Sequence, residues 1–186
     1  MSDYYIVRRH TSRLSLRIGK GGEVRVSAPY IISDTIIQDF VESHREWIAH
    51  AQQRTLEREQ MRHAFYAQLP LTTRAQREEA KLRLEQIVRP MLIHYSEIMG
   101  VCPQSVSYRA TCSRWGSCHT GRRTISFSLY LLLLPLWCIE HTVVHELAHL
   151  IVPNHSPRFY TLMDRYFPRW REARAETRHK RLSPLK

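Results

Sequence analysis

The sequence predicts an α+β chain in which a small antiparallel sheet packs on one apolar helix, preceded by a β-hairpin and a helical segment. Three observations carry this. Residues 4–30 and 105–130 hold short runs with strand character, several alternating polar and apolar side chains at period two. Residues 34–48 and 72–99 repeat apolar side chains at helical spacing. Residues 135–152 are dense enough in apolar side chains for a largely buried helix, yet they include His145, Glu146 and His149, a costly set to bury unless paired or ligated. With 186 residues, 1–186 reads as a single domain: a β-hairpin and helical arm over 1–70, and a core ending in a basic helix over 71–186.

The first strands are YYIVRR, RLSLRI and EVRVSAP, the last two joined by GKGG. Gly19, Gly21 and Gly22 could suggest phosphate binding, but they join two alternating strands and open no helix, so a hairpin turn is the reading. Ser33 or Asp34 caps the next helix, whose apolar side holds Ile36, Ile37, Phe40, Val41, Trp47 and Ile48. It continues into a charged arm over residues 51–70, which reads as a solvated face and packs on the domain or on another chain.

Thr72 or Thr73 caps a helix running to Met99, with an apolar stripe of Leu82, Leu84, Ile87, Val88, Leu92, Ile93, Tyr95 and Ile98. Pro90 falls inside it, Gly100 ends it, and His94 reads as structural. SVSYRA, SRWGSC and RRTISFSLY then form strands, with HTGR turning between the last two. Gly116 is a place for close approach of another backbone. Cys112, Cys118 and His119 fit no standard zinc spacing. After residues 135–152 come a short helix, SPRFYTLMDRYFP, and a basic helix or tail, RWREARAETRHKRL.

The residues that carry chemistry lie in HTVVHELAHLIVPNHSPRFY, residues 141–160. His145, Glu146 and His149 form H-E-x-x-H. On a helix the two histidines share a face, about 6 Å apart along the axis, so two imidazoles can chelate one metal, Zn2+ first. Glu146 is placed to take a proton from a metal-activated water. A third ligand is expected. His141 lies about 12 Å along the helix from His149, too far for ligands of one ion. Pro153 and Asn154 break the helix, so His155 can turn back over the site; Glu172 and Glu176 are the alternatives. Ser117, Arg158 and Tyr160 are candidates for binding substrate or stabilising an oxyanion.

Lys and Arg number 28 against 17 Asp and Glu, a net charge of +11. Such a balance favours an acidic partner such as nucleic acid. The start, MSDYYIVRRH, lacks the apolar run of a signal peptide, and the four cysteines form no C-x-x-C, so reduced thiols in a cytoplasmic setting are the expectation. The most apolar run, Phe127 to Ile139, is too short to span a bilayer and contains Pro135, so no membrane role is expected.

The order of motifs resembles the YgjP-like metallopeptidases. Arg114 to Cys118 reads RWGSC, Val143 to His149 reads VVHELAH, and Asn154 to Ser156 is followed by Phe159 and Tyr160. The earlier hairpin ending near Ala28 and Pro29, and the helix with Trp47 and Ile48, also look like that family. It is similar in turn to SprT-like and minigluzincin-type zincins. The resemblance implies a zincin-like core built on the H-E-x-x-H helix, with His145, His149 and His155 as ligands and Glu146 as general base. It also implies a peptide held extended along an edge strand, here expected near residues 124–128. Tyr160 stands where Trp is common, and Ser128 where Asn is expected. The expected function is zinc-dependent peptide hydrolysis, on nucleic-acid-associated proteins among others. The alternative is a non-catalytic zinc-containing basic module that binds nucleic acid.

Overall fold

The computed structural model describes residues 4–181. They are α+β and form two compact units, one running to His63 and the other from Ala64, so that the division falls inside a helix. No helix among the described residues is long and apolar enough to cross a membrane.

The first unit holds β1 (Tyr4–Arg9), β2 (Ser15–Ile18), β3 (Val24–Pro29), α1 (Asp34–Glu42) and most of α2 (Arg45–Ala67). The expected hairpin is β2–β3, antiparallel; β1 adds a third strand, parallel to β3, giving the order β1-β3-β2. Val26, Ala28 and Ile37 make the core of this unit, with Ile6, Leu16 and Val41 packed on it. Gly22, at φ 87, gives the β2–β3 turn the left-handed residue that only glycine adopts cheaply. The single helix expected from Ser33 is two helices. Ser43 Oγ and His44 Nδ1 both donate to the Phe40 carbonyl, at 2.8 and 2.7 Å, and displace the backbone bond that would continue α1.

The second unit holds α3 (Arg74–Met99), β4 (Ser105–Arg109), β5 (Gly116–His119), β6 (Thr124–Ser128), α4 (Leu136–Ala148), α5 (Pro157–Tyr166) and α6 (Trp170–Arg181). A capping box between Thr73 and Gln76 starts α3, which runs through Pro90 to a left-handed Gly100. Its buried positions are Ala80, Leu84, Val88, Tyr95 and Met99, while Leu82, Ile93 and Ile98, read as part of the stripe, are exposed. The sheet is mixed: β5 pairs antiparallel with β6 as expected, and β4 joins on the other side of β6 in parallel. So β6 is the central strand and β5 and β4 are the edges. Ser128, at the end of β6, donates to the Thr111 carbonyl at 2.6 Å and caps a 3₁₀ turn over Leu129–Leu133.

The core of this unit gathers Phe127, Leu131, Val143, Val144, Leu147, Phe159 and Met163 around α4. Tyr95 donates to Glu140 Oε1 at 2.6 Å and ties α3 to α4. The basic C-terminal segment is helical as far as Arg181; its last residues lie outside the described part.

Candidate metal centre

The site grows from the end of α4. Helical spacing predicts a helix to Val152, but α4 ends at Ala148 with His149 as its cap. The amides of Leu150 and Ile151 bond three residues back, at 3.0 and 3.1 Å, which tightens the last turn. Pro153 cannot continue a helix, and Asn154 Oδ1 accepts the Ser156 N–H at 3.3 Å in a side-chain turn. This reversal carries His155 back over α4, and Pro157 then opens α5.

His145, His149 and His155 each place a ring nitrogen within 4.8 Å of the others. Their ring centroids form a near-equilateral triangle with sides of 4.9, 5.0 and 4.7 Å. Phe159, fully buried, lies 4.9, 4.7 and 4.8 Å from the same three rings and makes a common floor. His149 Nδ1–H donates to the Val152 carbonyl at 3.2 Å, which leaves the lone pair on Nε2. Nε2 of His145 and Nε2 of His155 meet at 3.1 Å.

The electrostatics keep all three rings neutral. Burial pushes His145 down to about 2, helped by the neighbouring His149, His141 and His155. Burial lowers His149 and His155 as well, with the Arg174 charge adding to the effect on His155. Neutral imidazole is the form that binds a metal. Nε2 of His145 and Nε2 of His155 are close enough to share one N–H···N bond, but one shared proton does not satisfy three nitrogens turned onto one point, whereas one cation accepts all three lone pairs. The residues therefore fit a metal that prefers nitrogen ligands.

Among the described residues no other group of histidines, cysteines and carboxylates converges in this way. Glu172 pairs with Arg169 at 2.8 Å and Glu176 with Lys180 at 3.9 Å, so neither completes the cluster. Cys112, Cys118 and His119 form no cluster either. His141 stands outside the triangle with its Nδ1 buried and unpartnered.

Glu146 is 5 % exposed and lies beside Gly116, the first residue of β5. What approaches this glycine is the Glu146 side chain rather than the expected backbone. Burial pushes the carboxyl up to about 8, against the pull of the Arg114 guanidinium. A cavity of about 440 Å³ opens in front of Glu146, His145 and His155, with Tyr160 and Arg174 on its wall. Of the three substrate candidates only Tyr160 lines it; Ser117 and Arg158 do not.

Arg174 was not legible in the sequence. It comes from α6 and donates to Tyr160 Oη at 3.4 Å. Trp115, from RWGSC, also lines the cavity, and its indole N–H donates to the Thr177 carbonyl of α6 at 3.1 Å. The substrate strand was placed near residues 124–128, but β6 is paired on both sides. The edge beside Glu146 is β5. Ser128 N–H bonds the Trp115 carbonyl at 2.8 Å, so by alternation Gly116 and Cys118 turn their backbone groups to the open side.

Residues 12–71 and 66–180 match the family profile of the YgjP-like metallopeptidase domain. The chain belongs to the YgjP-like family. A structural likeness is found to the metallopeptidase zymogen abylysin of Pyrococcus abyssi, at 26% identity over 50% of this chain and 93% of that one, with a TM-score of 0.46. No curated protein matches the chain. Membership in the YgjP-like family makes the protein a metallopeptidase, and so a metal-dependent enzyme acting on peptide bonds.

Proposed function

We propose that this YgjP-like protein is a zinc metallopeptidase of the H-E-x-x-H type, with His145, His149 and His155 holding the metal and Glu146 as general base. The observation that carries the reading is the convergence of three neutral imidazoles beside a buried glutamate. The three-nitrogen set suits zinc and leaves a position open, as catalytic sites need. Bound there, zinc supplies Lewis acidity and makes nearby water acidic.

The protein's own groups divide the remaining work. Glu146 Oε takes the proton from the attacking water and delivers it to the departing amine nitrogen. The raised proton affinity of the buried carboxyl suits both halves of that transfer. Tyr160 Oη accepts from Arg174, so its own O–H is free to donate to the substrate carbonyl oxygen as charge develops there. The open edge of β5 receives an extended peptide through the amide and carbonyl groups of Gly116 and Cys118, a mode that reads backbone shape more than side chains. The four cysteines, read as reduced thiols, suit a reducing, cytoplasmic setting.

The net charge of +11 adds nucleic acid as a partner, with nucleic-acid-associated proteins as substrates. A non-catalytic zinc module would be closed by four protein ligands, often cysteines, and would have no use for Glu146. Metal content and hydrolysis of an unfolded casein, measured together, test the reading. Wild type and Glu146→Gln should each carry one equivalent of zinc, and only wild type should cleave. Full hydrolysis by Glu146→Gln would sink the mechanism; zinc retained in His155→Ala would sink the ligand set.

A further inference from the structure

The first unit carries a groove that the peptidase chemistry does not use. Its volume is about 570 Å³, and it runs between the outer face of the sheet and one face of α2. Arg17, Lys20, Arg25, Arg54 and Arg58 line it, and none of them has an ion-pair partner among the described residues. The one acid in the wall, Glu23, is folded back on its own turn, where it accepts the Gly21 N–H at 2.9 Å.

The placement of these cations works against the fold. Arg17 sits directly opposite Arg25 in the β2–β3 register, a like-charge pair that destabilises a sheet. Arg25 Nε is buried and has no hydrogen-bond partner. Anions seated on this row would relieve the repulsion. Two aromatic rings stand among the charges. Tyr5 lies next to Arg25 in the β1–β3 register, so Tyr5, Arg25 and Arg17 make one row across the sheet. On α2, Trp47, Arg54 and Arg58 fall at i, i+7 and i+11, on one helical face. Tyr5 is 47 % and Trp47 45 % exposed, and neither stacks on another ring among the described residues.

We infer that this groove binds single-stranded nucleic acid, phosphates on the cations and bases on Trp47 and Tyr5. Cations alone would suit any polyanion. Rings set between them suit a strand whose bases are unpaired and free to stack. A duplex hides its bases, and an acidic peptide has no flat faces to offer. The inference rests on the nucleic-acid part of the proposed function and is independent of the peptidase part.

The test is fluorescence anisotropy of a labelled oligothymidylate, about 15 nucleotides long to fill a site of this class, with the full chain across a salt series. Five phosphate contacts predict a slope of log affinity against log salt of about −3.5, falling by about 1.4 in magnitude in Arg54→Gln/Arg58→Gln. Trp47→Ala should weaken binding about tenfold, as loss of one base stack does. Arg83→Gln/Arg89→Gln, which removes the same charge from α3, should bind as wild type does. If wild type binds and the groove variants bind equally well, the groove is the wrong place while the nucleic-acid reading stands. Wild type that fails to bind at low salt overturns both. Displacement by polyglutamate at equal charge, with no effect of Trp47→Ala, makes this a site for acidic polypeptides and also overturns the inference.

Discussion

The Glu146 carboxyl lies on the bare Cα of Gly116: a Cβ built at that glycine would stand 2.6 Å from Oε1 and 2.7 Å from Cγ of Glu146. Contacts under 3 Å at both atoms mean that the acid itself, and not only the tip of a flexible chain, would have to move. Gly116→Ala should therefore lower kcat/KM about a hundredfold, the scale on which a 1 Å misplacement acts. Zinc content should stay at the wild-type level, because the atoms nearest the added Cβ all belong to Glu146 and not to a histidine. Metal analysis beside a peptidase assay separates the two effects.

Phe159 supports three imidazoles with one ring, so packing and metal affinity are coupled there. Phe159→Ala should cost about 3–5 kcal/mol of stability, as emptying a buried phenylalanine site does. It should also weaken zinc binding, because the rings lose their common floor. Phe159→Leu should recover most of the stability and part of the affinity. Thermal unfolding with and without a chelator reads both: chelation should lower the wild-type Tm clearly and the alanine variant's much less.

Tyr160 lines the cavity, and its hydroxyl oxygen accepts from Arg174. Tyr160→Phe should lower kcat about 10²- to 10³-fold with little change in KM, the mark of a hydrogen bond made only as charge develops. Arg174→Gln should show a smaller loss of the same kind. A rise in KM alone in Tyr160→Phe would assign the residue to substrate binding instead.

Tyr95 links its charge state to stability. Burial, then its bond to Glu140, raises the phenol well above the ordinary 10. Above that pH the unfolded chain has released the proton while the folded chain still holds it. The stabilisation is thus fully present below pH 10 and is lost as pH rises through the folded value. Burial also pushes Tyr108 up to about 12, with Glu85 adding to it. Phenol absorbance followed through an alkaline titration should show late-ionising tyrosines, and Tyr95→Phe should remove one and flatten the alkaline loss of stability.

The elements that could be read from the sequence are those whose cause is local. Period-two alternation marks β2 and β3, a Thr–Gln capping box marks the start of α3, and Pro153 and Asn154 mark the reversal that lifts His155. Where a local reading failed, a non-local partner decided. β1 pairs in parallel with a strand some twenty residues on, β4 makes β6 a central strand, and Phe40 takes side-chain donors in place of a helical amide.

Local order along the chain was enough to name H-E-x-x-H, to prefer His155 over His141 by length along a helix, and to expect Glu146 next to the histidine cluster. Chain spacing acts over one or two turns, and all of these lie within that reach. The tertiary structure alone brought Gly116 under Glu146, Arg174 from α6 onto Tyr160, and Arg17 and Arg25 into one row with the α2 face. Those pairs are far apart in the chain, and only packing and strand register decide which of them meet.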